Sequence, residues 1–578
     1  MSMWRGPDRW GAKGSIGRVS LNVTDPAAPP PVPPPPAPGA EQRWLSDPKT
    51  AFTVAALRDR LLGSRWRWLE TPLSLRLWFW LAPALMATIG GILRFVRLGE
   101  PHSLVFDETY YVKDAYSLLQ SGYERNWADK ANEHFNAGDF SSILGTPEYV
   151  VHPPVGKWMI AFGMWLFGPS STFGWRFSAA AVGTVSIFLL ALIAQKMFRS
   201  SIIGAMAGLL FAVDGHAIVQ SRTSLLDNFV MFWALVAFGA LLLDRDDGRN
   251  RLAERLAALA AARGGIPFGK DLVHGPWLGV RWWRLAAGIA LGLCIGTKWS
   301  GVFFLVAFGL LTVFWDLSAR RIAGVRHWVA GGILKDGIFA FVSVVPVAAA
   351  TYLASWTGWF LAADSWDRNW AATDTGSGWG WIPDPLRSLW HYHFTAYNFH
   401  TGLESDHPYK ANAWSWLVMG RPTSFYTDYP KHGEKGCMAD SCAAVVSSVG
   451  NPVIWWSAVL AAAFLLVYWI TRRDWRAGAI LAALAAGYLP WLLYPNRTIF
   501  FFYAIAYEPY LILALVFVLG LVLGKSTDAR WRRLQGALLV GIFLVLTVVV
   551  SAYFYPIWTD QMIPYGQWRN RMWLPSWI

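Results

Sequence analysis

Apolar stretches long enough to cross a membrane recur from residue 77 to residue 556, and no soluble fold has room to bury so many of them. A helix needs about 20 residues to cross ~30 Å of hydrocarbon. Eleven candidate spans fall near 77–98, 175–197, 201–219, 225–243, 284–297, 300–317, 336–358, 452–471, 477–494, 499–523 and 534–556. Hydrophobic residues make up 54% of the chain and charged residues 15%, whereas a soluble domain carries about a quarter charged. The expected fold class is an all-α polytopic membrane protein with about 11 transmembrane helices.

Basic residues orient the chain. The formal net charge of +13 is spread in short clusters between apolar runs, which argues against a nucleic-acid partner. With the N-terminus inside, Arg199, the run from Arg245 to Arg284, Arg320 with Arg321 and Arg326, Arg472 with Arg473, and Lys525 with Arg532 and Arg533 all fall on the cytoplasmic side. Arg58, Arg60, Arg65, Arg67 and Arg76 precede the first span on that same side. Residues 1–70, with PAAPPPVPPPPAPG at 26–39, read as a disordered Pro-rich cytoplasmic tail without a signal-peptide pattern. The transmembrane domain then covers 71–560, with outer loops at 99–174 and 359–451, and 561–578 form an outer C-terminal end. The segment 155–168 is apolar but short and closes at Gly168-Pro169, so an interfacial helix is expected within the first outer loop. Cys437 and Cys442 lie five apart in the large outer loop, where a disulfide is the simplest reading and two free thiols the alternative.

Chemistry concentrates on the outer side. Phe106-Asp107-Glu108 follows the first span, and adjacent carboxylates beside a bilayer point to a membrane enzyme. Neighbouring helix positions diverge by about 100°, so one acid can act as a base while the other orients a partner; helix-capping acids are the bland alternative. His152-Pro153-Pro154 leads into Lys157 at headgroup depth, where a cation holds a lipid phosphate or snorkels. Arg94 and Arg176 sit near the outer ends of spans, where an uncompensated charge costs about 2.5–3.5 kcal/mol, so each needs an acid or a phosphate. Arg222 and Asp227, with Asp214 and His216, add a second polar patch, either as a structural pair or as ligand contacts. Lys298 lies at an outer turn between two short spans, where irregular backbone should line a cavity. No zinc-protease, Walker or dinucleotide motif occurs, so the energy of a reaction must come from its substrate, as an activated lipid phosphate would supply.

Taken in order, FDETYY, HPPVGKW, GWRFSAA, SRTSLLDNF, GLCIGTKWSG, HPYKANAWSW and RPTSFY resemble the protein O-mannosyltransferase family, specifically its actinobacterial members, from about Arg94 to Asp560. The resemblance implies a glycosyltransferase C-type fold that moves mannose from a polyprenyl-phosphate carrier to Ser or Thr of polypeptides emerging through the Sec translocon, at the outer face of the plasma membrane. Yeast-like relatives carry a soluble β-trefoil domain in the large loop, and nothing in this chain is long enough to be one. By the same resemblance Asp107 is the base for the acceptor hydroxyl, Glu108 positions acceptor or sugar, and attack opposite the phosphate inverts the anomeric centre. Lys157 and Arg176, with Arg94, are the expected phosphate-binding cations, and His407 and Trp414 help close the site. His152, Arg222, Asp227, Lys298 and Glu508 complete the candidates, although Tyr507 and Glu508 match no motif of the eukaryotic relatives. The donor polyprenyl-phosphate-mannose is the only group implied, with the question of a divalent metal open.

Two other readings compete. A C-type glycosyltransferase acting on a lipid or cell-wall glycan, such as an aminoarabinose or arabinose transferase, would share the acids and the cationic grip. A lipid or sugar transporter would show repeated halves or paired broken helices at the midplane, and a scaffold would need no acid pair.

Overall fold

The computed structural model describes residues 52–63, 73–262, 273–373, 380–525 and 527–578. The Pro-rich stretch, Arg65, Arg67 and the side chain of Arg76 lie outside them. Helix α1 (Val54–Leu62) falls within the stretch expected to be a disordered tail. Its Leu57 and Leu61, one turn apart, bury against Leu252, Leu256, Ala319 and Ala323, and Thr53 caps it by accepting the Ala56 N–H. Helix α1 forms here because an i, i+4 leucine pair finds an apolar partner.

The body follows in chain order as α2 (Leu73–Phe95), α3 (Glu108–Ser121), α4 (Val155–Phe167), α5 (Thr172–Phe198), α6 (Ser201–Val213), α7 (Gly215–Arg222), α8 (Leu226–Ala261), α9 (Trp282–Thr297), α10 (Gly301–Ile322), α11 (Trp328–Ser355), α12 (Asp384–Gly402), α13 (Pro452–Arg472), α14 (Trp475–Tyr488), α15 (Glu508–Leu523) and α16 (Arg530–Trp558). Among the described residues eight helices are long and apolar enough to cross a membrane, and α6 with α7, bent by 61°, make a ninth. The expected spans 284–297 and 499–523 correspond to α9 and α15, which have 16 residues each. Such a helix rises ~24 Å, so a count of eleven requires both of these short helices to cross. Helix α4, 13 residues long, leaves Trp165 69% exposed while burying Lys157, Ile160 and Met164, the division expected of a helix lying in the interface.

Two local features shape the region behind the site. Asp214 breaks the α6–α7 span and caps α7, accepting the His216 N–H at 2.8 Å. Gly183 lets α5 approach closely: a Cβ there would stand 2.1 Å from Ser221 Oγ and 3.2 Å from Arg94 Nε.

On the site side, strands β1 (Arg125–Trp127) and β2 (Ile143–Pro147) form an antiparallel pair between α3 and α4. Strands β3 (Ser424–Asp428), β4 (Cys442–Ser447) and β5 (Ile563–Pro564) form an antiparallel sheet in that order. The C-terminal end is therefore joined to the large loop: β5 pairs with β4, and Trp577 Nε1 donates to the Met419 carbonyl at 2.7 Å. A disulfide joins Cys437, in the β3–β4 connection, to Cys442 at the start of β4.

Candidate active site

The loop after α2 is shaped by Phe106, a non-glycine residue in the left-handed region at φ +47. Such a conformation costs of order 1–3 kcal/mol and persists only where the surroundings impose it. Here His407, Phe425, Phe500 and Phe502 meet the Phe106 ring edge to face, with centroids 5.3 to 5.7 Å away. The turn separates the two acids that follow it.

Glu108 turns inward and is fully buried. Arg176 Nε and Nη2 donate to its two oxygens at 2.9 Å each, and the backbone N–H groups of Ser224 and Val105 donate at 2.9 and 3.0 Å. A carboxylate offers about four acceptor positions, and all are taken. Arg176 spends its remaining donors on the carbonyls of Leu98, Pro101 and Ser103. In this arrangement Glu108 has no lone pair left for acceptor or sugar, and Arg176 has no N–H left for a phosphate. Together they fix the loop that carries Asp107.

Asp107 is only partly buried and does not cap α3. Tyr111, one turn on, approaches its carboxylate with the hydroxyl at 3.5 Å. Burial pushes the carboxyl up to about 6, Lys298 pulls it down, Asp227 pushes it up, and the Tyr111 hydroxyl lowers it. Lys298 and Asp227 are themselves a buried pair, with Nζ donating to both carboxylate oxygens at 3.0 and 2.9 Å. The ammonium also lies 4.1 Å from the centroid of the Tyr503 ring. Arg222 and Asp227, for which a structural pair was one of two readings, are not paired with each other. Arg222 instead donates to the carbonyls of Arg94, Val96 and Arg97 and satisfies the C-terminal end of α2.

A second cation enters from a stretch where no candidate was expected. Arg497 Nε donates to the His400 carbonyl at 2.9 Å and Nη2 meets His400 Nδ1 at 3.3 Å. Its Nη1 is buried without a hydrogen-bond partner. The His400 ring stacks on His152 with centroids 5.1 Å apart. Burial holds the His152 imidazole well below its ordinary range, with Lys298, His400, Lys157 and Arg497 lowering it further, so it is neutral at physiological pH. Arg497 stands just before an apolar run, and the argument that singled out Arg94 and Arg176 applies to it equally.

The other expected residues are placed as follows. Lys157 is buried, hydrogen-bonded to Glu124 and 3.6 Å from Asp114, so two carboxylates already meet its charge. Arg94 donates to Ser221 Oγ and to the carbonyls of Gly90, Ala212 and Phe211, locking the α6–α7 break against α2. Glu508 is buried behind that break, beside Asp214 and in the field of Arg94. His407 packs on Phe106 and Phe500 and so reaches the site loop. Trp414, 69% exposed, is not among the rings gathered on Phe106. Beside α4, an apolar cavity of about 910 Å³ is lined by Val155, Trp158, Phe162, Phe177, Val182 and Leu293, among others.

The chain is similar over most of its length to known enzymes. Residues 151–262 match the family described as dolichyl-phosphate-mannose-protein mannosyltransferase, and residues 385–577 match the C-terminal four TMM region of protein-O-mannosyltransferase. The polyprenol-phosphate-mannose–protein mannosyltransferase of Mycolicibacterium smegmatis is 38% identical over 513 residues, covering 86% of this chain and 93% of the relative. The proteins of that name from Mycobacterium tuberculosis and Corynebacterium glutamicum are 36% and 33% identical, over 87% and 86% of this chain and 92% and 91% of theirs. The S. cerevisiae protein O-mannosyltransferase complex bound to the sugar donor shares the fold, with a TM-score of 0.63 at 15% identity over 91% of this chain and 94% of that one. The chain is thus a multi-pass glycosyltransferase of the C-type fold and belongs to the polyprenol-phosphate-mannose–protein mannosyltransferase family.

Proposed function

We propose that this enzyme transfers mannose from polyprenyl-phosphate-mannose to Ser or Thr hydroxyls of polypeptides on the outer face of the membrane, with Asp107 as the base. The observation that carries the reading is the separation of the two acids: Glu108 is consumed by the loop, while Asp107 stays partly accessible in the field of Lys298, which in turn lies in the field of Arg497. A carboxylate pushed up to about 6 is still ionised at neutral pH and is a stronger base than an ordinary Asp.

In this reading the acceptor oxygen attacks the anomeric carbon from the side opposite the phosphate. Its proton passes to Asp107, the C–O bond to phosphate breaks, and the polyprenyl phosphate leaves with the electron pair. The β-linked sugar becomes α-linked. Charge developing on the leaving phosphate is met by the unpartnered Arg497 Nη1 and by Lys298. The cavity beside α4 offers an apolar bed for the isoprenoid chain. Acceptors would arrive unfolded, consistent with delivery by the Sec translocon.

The test is transfer of labelled mannose from polyprenyl-phosphate-mannose by the purified protein in vesicles, offered a Ser/Thr-rich peptide and a glycolipid fraction. Label in the peptide with α linkage supports the reading. Label in glycolipid alone would replace it with the lipid-glycan alternative.

A further inference from the structure

Helix α12, within the large loop, presents three different faces. Ser388, Leu389, Tyr392 and Ala396 are buried against the protein. Leu386, Trp390, Phe394 and Tyr397 form a second stripe and are 40%, 76%, 57% and 55% exposed; at 3.6 residues per turn they fall within roughly 80° of one another. Asp384, Arg387, His391 and Asn398 lie beside that stripe on the third face. The exposed stripe carries no charge, three of its four side chains are aromatic, and a polar flank runs along it. That is the composition of a helix lying at a membrane surface, with its rings at the boundary of headgroups and acyl chains.

We propose that this stripe is seated in the bilayer leaflet on the site side of the protein, and that the leaflet thereby steadies the strand leading to His152. Lipid is favoured as the occupant because α12 packs on the outer end of the apolar span α11, with Tyr392 and His393 meeting Trp356 and Tyr352 at ring centroids 5.1 to 5.6 Å apart, and because Leu353 on that span and Leu361 just beyond it are themselves exposed, Leu361 to 81%. The link to the site runs through the buried face. Tyr392 Oη donates to the Val150 carbonyl at 2.7 Å and accepts the Val150 N–H at 3.1 Å. His400 Nε2 meets the Val151 carbonyl at 3.0 Å, and the His400 ring stacks on His152. A helix that floats in water on one side cannot hold Val150 and Val151 as firmly as one held by lipid.

The test uses the full chain in phosphatidylcholine–phosphatidylglycerol vesicles, with a nitroxide on Phe394→Cys, on Trp390→Cys or on Asn398→Cys, the last an exposed position of the polar flank. The native cysteines do not compete, since Cys294 is buried and Cys437 is bonded to Cys442. Labels at 394 and 390 should collide several-fold more with oxygen than with a water-soluble nickel chelate, and the label at 398 should show the reverse preference. A water-accessible label at 394 would overturn the proposal. So would a label shielded from both agents and dipolar-coupled to its copy on a second chain, which would make the stripe a protein contact. Collision rates do not depend on sugar transfer, so this result stands apart from the mannosylation assay.

Discussion

Glu108 and Arg176 are joined by two hydrogen bonds of 2.9 Å, and each has its remaining hydrogen-bonding capacity taken by backbone groups of the loop and of the turn before α8. The pair is an internal brace from which Asp107 projects.

Arg176→Ala should therefore damage the fold before it damages donor use. Breaking a buried pair by removing one partner costs about 3–5 kcal/mol, so the thermal midpoint of the detergent-purified protein should fall clearly. An unchanged midpoint with a raised KM for the lipid donor would return Arg176 to the phosphate.

Arg497→Ala should behave differently. Removing one donor that faces a developing oxyanion lowers kcat by roughly 10²–10³-fold, and Arg497→Lys should recover part of the loss because a point charge still meets the phosphate. Single-turnover rates on saturating donor check this, and wild-type turnover by Arg497→Ala would remove Arg497 from the site.

The pH dependence follows from Asp107. Its folded carboxyl titrates at about 6, above the ordinary value of 3.8, so the rate should rise through pH 6 and then level off as the base loses its proton. Stability runs the other way. The fold favours the protonated acid, so this contribution is complete below 3.8, declines as pH rises to about 6 and is flat beyond. Asp107→Asn should thus unfold at a higher temperature than wild type at pH 7, with the gap closing at low pH.

Glu508 lies beside Asp214 behind the α6–α7 break with both carboxylate oxygens buried and without a hydrogen-bond partner, a placement that costs a neutral side chain less than a carboxylate. Glu508→Gln keeps a neutral donor toward Asp214 and should leave the thermal midpoint near wild type, whereas Glu508→Ala should lower it. Equal midpoints for the two variants would show that the contact carries no stability.

The membrane body was legible because apolar length is a strong one-dimensional signal: each of the eleven expected spans has a helix or bent helix pair at its place, and α4 was separable by its 13 residues and the Gly168-Pro169 stop. What α9 and α15 do at 16 residues was not legible, since length alone sets no depth. At the candidate site, the sequence brought Asp107, Asp227 and Lys298 into view as charges near span ends, and His152 through the motif that leads into the interfacial helix. It could not apportion partners. Whether an intramembrane Arg meets a phosphate or five protein acceptors depends on contacts far apart in the chain, as between Arg176 and Ser103, 73 residues away. Arg497 was missed although the depth argument covers it, and α12 was missed because its apolar stripe has helical period but too little length for a span.

The proposed reaction turns on Asp107 taking the proton of the acceptor hydroxyl. The most direct measurement is single-turnover transfer of labelled mannose from polyprenyl-phosphate-mannose to a Ser/Thr peptide in vesicles, by wild type and Asp107→Asn, from pH 5 to pH 8. The wild-type rate should rise through about pH 6, and a well-folded Asp107→Asn protein should bind donor and transfer nothing above background. Transfer by Asp107→Asn at a rate close to wild type would contradict it.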